Sequence, residues 1–267
     1  MKLFTVDAFA SKPFSGNQAA ICLVESELDA SWMLALAQEI NYSETAYLEK
    51  LDGSADFGLR WFTPACEVDL CGHATLASAH VLWNECKIQS DEIRFHTRSG
   101  VLTARKNGES IELNFPAIPA SPIPINEDLL SGLGLSNPQV VFCGKNQFDA
   151  LVVVNDETVV RALEPDFAAL GKIPVRGITV SAKSQSAEFD FISRFFAPGS
   201  GVDEDPVTGS AHCCLAPYWG NELSKDTMTG FQASNRGGTV GVKLSDDRVI
   251  LSGQAITILR GELADVI

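Results

Sequence analysis

Basic residues are scarce in this 267-residue sequence: 20 lysines and arginines face 34 acids, a formal net charge of −14. Such a surface repels phosphate backbones and anionic headgroups, which argues against nucleic acid and anionic membranes as partners. No apolar run approaches the ~20 residues a membrane span needs. The first residues, MKLFTVDAF, form no secretory h-region, because Asp7 and Lys12 interrupt them. The seven cysteines are odd in number and irregularly spaced, so they suggest no disulfide framework. The expectation is a cytoplasmic protein with reduced thiols. Gly-rich dinucleotide and phosphate loops are missing, and no G-x-S-x-G elbow surrounds Ser210 and His212. Cys66, Cys71, His73 and His80 follow a C-x4-C-x-H-x6-H spacing that matches no usual structural zinc pattern. The reading therefore invokes no metal and no cofactor. What remains is acid/base chemistry at carbon.

What the chain does contain is a stretch written twice. Residues 56–64 read DFGLRWFTP and residues 190–198 read DFISRFFAP, with five identical positions at one offset (190 − 56 = 134). Each copy is followed by an acidic loop and then a glycine, Gly72 or Gly209, opening an Ala-rich segment. A repeat of this length means two copies of one domain, since solenoid units run only ~20–50 residues. The length agrees, at ~150 residues per domain. Residues 116–138 hold five prolines and two glycines, as a linker would. The expected division is an N-terminal lobe over 1–118, a linker over 119–138 and a C-terminal lobe over 139–267. Whether the last strand crosses back to the first lobe is left open.

Alternation and helical spacing place the elements. Strands are expected over 2–9, 19–24, 57–62, 93–97, 101–105 and 111–115, and helices over 31–40 and 71–83. The second lobe is expected to carry strands over 139–143, 151–154, 177–181, 188–196, 240–244 and 249–258. A short helix is expected over 165–170, and a second Ala-rich helix over 209–219, cut short by Pro217.

The chemistry concentrates where helices begin. A glycine at a helix start lets a ligand approach the backbone, and the free N–H groups there hold carboxylate or phosphate. Gly72 and Gly209, matched in two copies, would bind a small anion without lysine, which suits an acidic chain. Each alone would read as a packing glycine. Glu44 lies within NYSETAYL, a carboxylate among aromatic residues where partial shielding from water suits a general acid or base. An edge-strand surface glutamate is the plain alternative. His73 could orient substrate or carry a proton. Asp205 lies in the acidic run before the second helix, His212 reads as structural, and His80 and His96 carry no supporting pattern. Asn17 and Gln18 form a polar turn that Asn146 and Gln147 echo in the second lobe, either as turn chemistry or as cleft lining.

Taken together, Gly16–Ala20 (GNQAA), Asn41–Ala46 (NYSETA), Arg60–Pro64 (RWFTP), Cys71–Ala77 (CGHATLA) and Asp203–His212 (DEDPVTGSAH) resemble the PhzF-like, phenazine-biosynthesis family. The resemblance runs over essentially the whole chain. It implies an α+β, diaminopimelate-epimerase-like fold: two similar lobes, each a barrel-like, mostly antiparallel sheet around a central helix, with the active site in a cleft between them. It implies that Glu44 moves a proton between carbons of the substrate. His73, Asp205 and Ser210 flank it, and Asn17, Gln18, Gly72 and Gly209 bind substrate. The expected activity is that of a cofactor-independent isomerase acting on a small anionic metabolite, and a homodimer is expected from the same resemblance. The alternatives are an amino-acid epimerase or racemase on this fold, and a non-catalytic metabolite- or protein-binding member. A two-thiol epimerase is disfavoured, because Cys71 has no cysteine at the matching position, Pro206–Thr208, of the second copy.

Overall fold

A computed structural model describes residues 1–25, 28–53 and 56–264. The chain divides into two units, one formed by Met1–Asn114 with the chain from Ser252, the other by Phe115–Leu251. Both are α+β and dominated by sheet.

Unit 1 runs β1 (Lys2–Ala8), β2 (Asn17–Val24), α1 (Ala30–Ile40), β3 (Glu44–Lys50), β4 (Asp56–Phe62), β5 (Glu67–Val68), α2 (Gly72–Asn84), β6 (Glu92–Thr97), β7 (Gly100–Asn107) and β8 (Ser110–Pro116). Unit 2 continues with β9 (Ser121–Pro122), α3 (Glu127–Leu133), β10 (Val140–Lys145), β11 (Asp149–Val154), α4 (Glu157–Arg161), α5 (Phe167–Leu170), β12 (Gly177–Lys183) and β13 (Phe191–Ala197). It ends with β14 (Val202–Asp205), α6 (Gly209–Leu223), β15 (Thr227–Gln232), β16 (Gly238–Ser245) and β17 (Arg248–Gly253). β18 (Ala255–Glu262) then pairs antiparallel with β1, so the last strand belongs to the first unit. The single expected strand over 249–258 is in fact two, broken at Gln254, whose carbonyl accepts from Ala10 N.

The repeat is a repeat of pairing. In unit 1, β2–β3 is parallel, β3–β4 and β4–β5 antiparallel, β4–β6 parallel and β6–β7 antiparallel. Unit 2 reproduces this order with β11–β12, β12–β13, β13–β14, β13–β15 and β15–β16. The identical residues explain why the copies persist. Arg60 grips Glu67 of β5 through two hydrogen bonds of 2.8 Å. Arg194 grips Glu204 of β14 at 2.7 and 2.9 Å. Asp56 accepts from Arg94, and its counterpart Asp190 from Lys225. Each unit thus ties its short acidic strand to the repeated strand with a fork-shaped ion pair.

α2 is buried on nearly every side, from His73 to Ala79 and again from Val81 to Trp83, and packs on β1, β2, β3, β7 and β18. That explains its small residues: a helix apolar all round belongs inside a sheet, not on its surface. α6 occupies the corresponding place in unit 2 against β15 and β16.

Two expectations from proline need correction. α6 is not cut at Pro217 but continues to Leu223. The ring removes the N–H that would bond the Cys213 carbonyl, and Ile118 N supplies the missing donor at 3.0 Å. The same contact shows why 119–138 is no free linker. It falls inside unit 2 and carries β9 and α3, whose Leu129, Leu130 and Leu133 join that unit's core.

Candidate active site

β2 and β3 run parallel with Ala19 beside Glu44. Side chains alternate along a strand, so Asn17, Ala19 and Glu44 share one face, and Gln18 points to the other. The turn before Asn17 is held rigidly. The buried Asp7 carboxylate accepts from Phe14 N at 2.7 Å, and Gly16 has φ +67°, where a Cβ would lie 2.1 Å from the Ala8 carbonyl. Only glycine fits there. On the other side, Asn41 ends α1 in the left-handed conformation with its N–H on Ala37 O, which turns the chain into β3 three residues before Glu44.

These strands present Asn17 and Glu44 to the first turn of α2. Glu44 Oε2 lies 3.0 Å from His73 Nε2, with side-chain exposures of 17% and 5%. Asn17 Nδ2 lies 3.2 Å from His73 Nδ1, and Cys71 Sγ lies 3.6 Å from the same nitrogen. The carboxylate–imidazole contact has ion-pair distance but not hydrogen-bond alignment, so neither Glu44 Oε2 nor His73 Nε2 has a hydrogen-bond partner. Cys71, the N-cap residue, makes no side-chain cap, and the first turn of α2 carries no acid. The helix therefore ends in free N–H groups with an uncompensated positive dipole end.

Protonation follows from this packing. Burial opposes charge on the His73 ring, but Cys71 and the Glu44 carboxylate outweigh it and hold its pKa well above the ordinary value. Burial, and then the Glu44 charge, push the Cys71 thiol up. Glu44, Cys71 and His73 each offer a ligand atom within 4.8 Å of the others, so this trio could also hold a metal ion.

Unit 2 places the other expected residues at the start of α6. Asp205 Oδ2 accepts from Thr208 Oγ1 at 2.5 Å, and Gln232 braces the turn by accepting from Thr208 N and donating to Asp205 O. Ser210 Oγ accepts from Arg176 at 3.0 Å, and Arg176 forks onto the buried Asp149. The guanidinium also lies 5.0 Å over the Phe148 ring. As in α2, the N-cap Thr208 makes no side-chain cap and no acid occupies the first turn, which begins at Gly209.

The register shows where the copies part. Phe196 beside Ile178 repeats Phe62 beside Thr45, so Asp149 beside Gly177 in β11–β12 repeats Ala19 beside Glu44. The carboxylate of unit 1 is thus a glycine in unit 2, and Asn17 corresponds to Gln147, not Asn146. Asn146 serves its own turn, accepting from Phe148 N and Asp149 N. The remaining histidines are bound locally. His80 meets Thr257, His96 meets Asp56, and the fully buried His212 meets the Thr208 carbonyl. Sequence reasoning missed the Cys71–His73 contact and the Asp149–Arg176–Ser210 chain.

Both units are sheet-dominated α+β, and in unit 1 a carboxylate and an imidazole meet at a buried helix start. The model of the PhzC-PhzF family, described as phenazine biosynthesis-like protein, matches residues 6–261, and the chain belongs to this family. It is 50% identical over 263 residues to a protein named an uncharacterized isomerase from Halalkalibacterium halodurans, covering 98% of this chain and 97% of that one. A solved PhzF-family structure from Enterococcus faecalis superposes with a TM-score of 0.93 at 39% identity, covering 98% of both chains. A probable proline racemase from Agrobacterium radiobacter shares the fold alone, with a TM-score of 0.64 at 10% identity over 99% of this chain and 93% of that one. The protein is an isomerase of this family.

Proposed function

We propose that the chain is a cofactor-independent isomerase that moves a proton between carbons of a small anionic metabolite, with Glu44 as the general acid/base. One observation carries this reading: a partly buried glutamate oxygen lies 3.0 Å from a buried imidazole at an uncapped helix start. The substrate's carboxylate would accept from the free N–H groups at Gly72 and His73, with Asn17 holding the ring. Glu44 then removes a proton from the adjacent carbon. The charge that develops on the substrate is met by the protonated His73 and by the helix N–H groups, which need no reorganisation. Glu44 returns the proton at a second carbon, so atoms balance without any co-reactant. Asp205 and Ser210, with Gly209, are the polar positions of unit 2 that we assign to substrate holding. A homodimer in the cytoplasm belongs to the same proposal. Among the described residues no helix is long and apolar enough to cross a membrane.

The specific contact of Cys71 with His73 supports a second reading, a thiol-assisted epimerase. Product analysis by 1H NMR against a panel of unsaturated and cyclic amino and hydroxy carboxylates separates the two. The isomerase reading expects a shifted double bond or carbonyl, lost in Glu44→Gln. A product that differs only in configuration, lost in Cys71→Ala and kept in Glu44→Gln, would sink it.

A further inference from the structure

We propose that Arg176 is a positioning residue: clamped by Asp149, it makes the Ser210 hydroxyl a dedicated hydrogen-bond donor to an anionic oxygen of the substrate. This rests on the reading of Ser210 as a substrate-holding residue.

The direction of the hydroxyl follows from its partner. Ser210 Oγ lies 3.0 Å from Arg176 Nη2, and among the described residues it has no other partner. A guanidinium carries donors and no acceptor. Ser210 therefore accepts from it, and the hydroxyl's own hydrogen is turned away, toward a position where only an acceptor can take it. Ser210 is the second residue of α6, whose first turn has neither a side-chain cap nor an acid. The hydroxyl and the free N–H groups of that turn are donors for the same kind of group, an oxyanion.

The guanidinium can set this direction because it is itself fixed. Arg176 Nε donates to Asp149 Oδ1 at 2.9 Å and Nη2 donates to Oδ2, a fork on a carboxylate only 5% exposed. The Phe148 ring lies 5.0 Å from the guanidinium, and Arg176 N donates to the Phe148 carbonyl at 2.8 Å.

The copies show why unit 2 supplies a donor and not a second base. Gly177 stands where β3 carries Glu44. A Cβ there would lie 2.1 Å from the buried Phe195 ring, which leaves no room for a side chain. The carboxylate of unit 2 sits one strand over, on Asp149 where β2 has Ala19, and each of its oxygens accepts from Arg176. Ser210 follows the helix glycine as His73 does in unit 1, but a hydroxyl does not exchange protons near neutral pH as an imidazole can. Unit 2 thus holds, which suits an isomerase that works with one base.

The test is acetate binding to the full chain, followed by NMR at the Gly209 amide. It compares wild type, Ser210→Ala, Arg176→Met/Asp149→Asn and the triple variant that combines them. Asp149→Asn accompanies Arg176→Met so that no buried charge loses its partner, and circular dichroism confirms each fold. Losing a hydrogen bond to a charged oxygen should weaken acetate about tenfold in Ser210→Ala. Arg176→Met/Asp149→Asn should weaken it by up to the same factor, and the triple variant should bind no worse than Ser210→Ala. A merely structural Arg176 leaves acetate affinity unchanged in folded Arg176→Met/Asp149→Asn, and an Arg176 that grips the anion itself makes the triple variant weaker still. Either result overturns the proposal, as does unchanged affinity in Ser210→Ala or a wild-type Gly209 amide that does not respond to acetate. No turnover is involved, so this failure is distinct from a failure of Glu44→Gln to abolish activity.

Discussion

Replacing Glu44 by glutamine should change stability in a way that depends on pH with a definite sign. In the wild type the His73 ring titrates above its ordinary value because Cys71 and the Glu44 carboxylate face it, despite burial. A group whose folded pKa is raised stabilises the fold fully below its unfolded pKa, and that contribution is lost as pH rises through the folded value. Glu44→Gln removes one of the two groups that oppose burial, Cys71 being the other. The variant's ring then protonates less readily than the wild type's, so the variant gains less stability as pH falls. The gap between the two proteins therefore widens on the acid side and closes on the alkaline side. Each pH unit between the two rings' pKa values is worth about 1.4 kcal/mol. Breaking a buried ion pair costs about 3–5 kcal/mol, and the residual exposure of Glu44 puts this pair at the low end, about 3 kcal/mol. In a chain of this size that is roughly 6–12 °C in Tm. His80 and His212 are present in both proteins, so their titrations cancel in the difference. Thermal melts of the two from pH 5.5 to 9, with NMR titration of the His73 ring, provide the check. A Tm gap independent of pH, or a wild-type ring titrating below the ordinary value, would refute the ion-pair account.

Other consequences concern the scaffold. Arg194→Met strands Glu204 and the Leu163 carbonyl, so urea unfolding should show a loss of about 2–4 kcal/mol, with Arg60→Met milder because Arg60 is more exposed. Ile118→Pro removes the donor for the Cys213 carbonyl and should cost about 1–3 kcal/mol by the same assay, leaving a buried acceptor unpaired. Gly230→Ala would put a methyl group 2.5 Å from the Phe191 ring, which is stacked on Trp219, and should cost about 1–3 kcal/mol by overpacking. Burial pushes His212 down to about 4, so it is neutral in the fold. Its contribution is full above the ordinary histidine value and is lost between there and pH 4, up to about 3 kcal/mol. A His212→Phe variant that still folds should therefore show a flatter acid limb.

Much of this was legible before any coordinates. The DFxxRxFxP copies located the repeated strands because their arginines and aspartates hold the same ion pairs in both units. The GH and GS pairs located both helix starts, and NYSETA located the carboxylate. Other features were hidden for physical reasons. Pro217 signals a helix end, yet a donor 99 residues earlier in the chain takes the freed carbonyl, and no local pattern records that. Asn17 and Asn146 look alike in letters but occupy different strand registers, because the connection before β11 differs from that before β2. Cys71 reads as a small core residue, and its contact with His73 depends on the extended N-cap conformation that turns the sulfur toward the ring.

The central claim is that Glu44 carries the proton. The most direct measurement is deuterium incorporation at carbon, by mass spectrometry in D2O, for any substrate the panel reveals, in wild type, Glu44→Gln and Cys71→Ala. The account predicts deuterium uptake in the wild type and in Cys71→Ala, and a loss of about 100-fold or more in Glu44→Gln. Uptake that persists in Glu44→Gln and disappears in Cys71→Ala would contradict it.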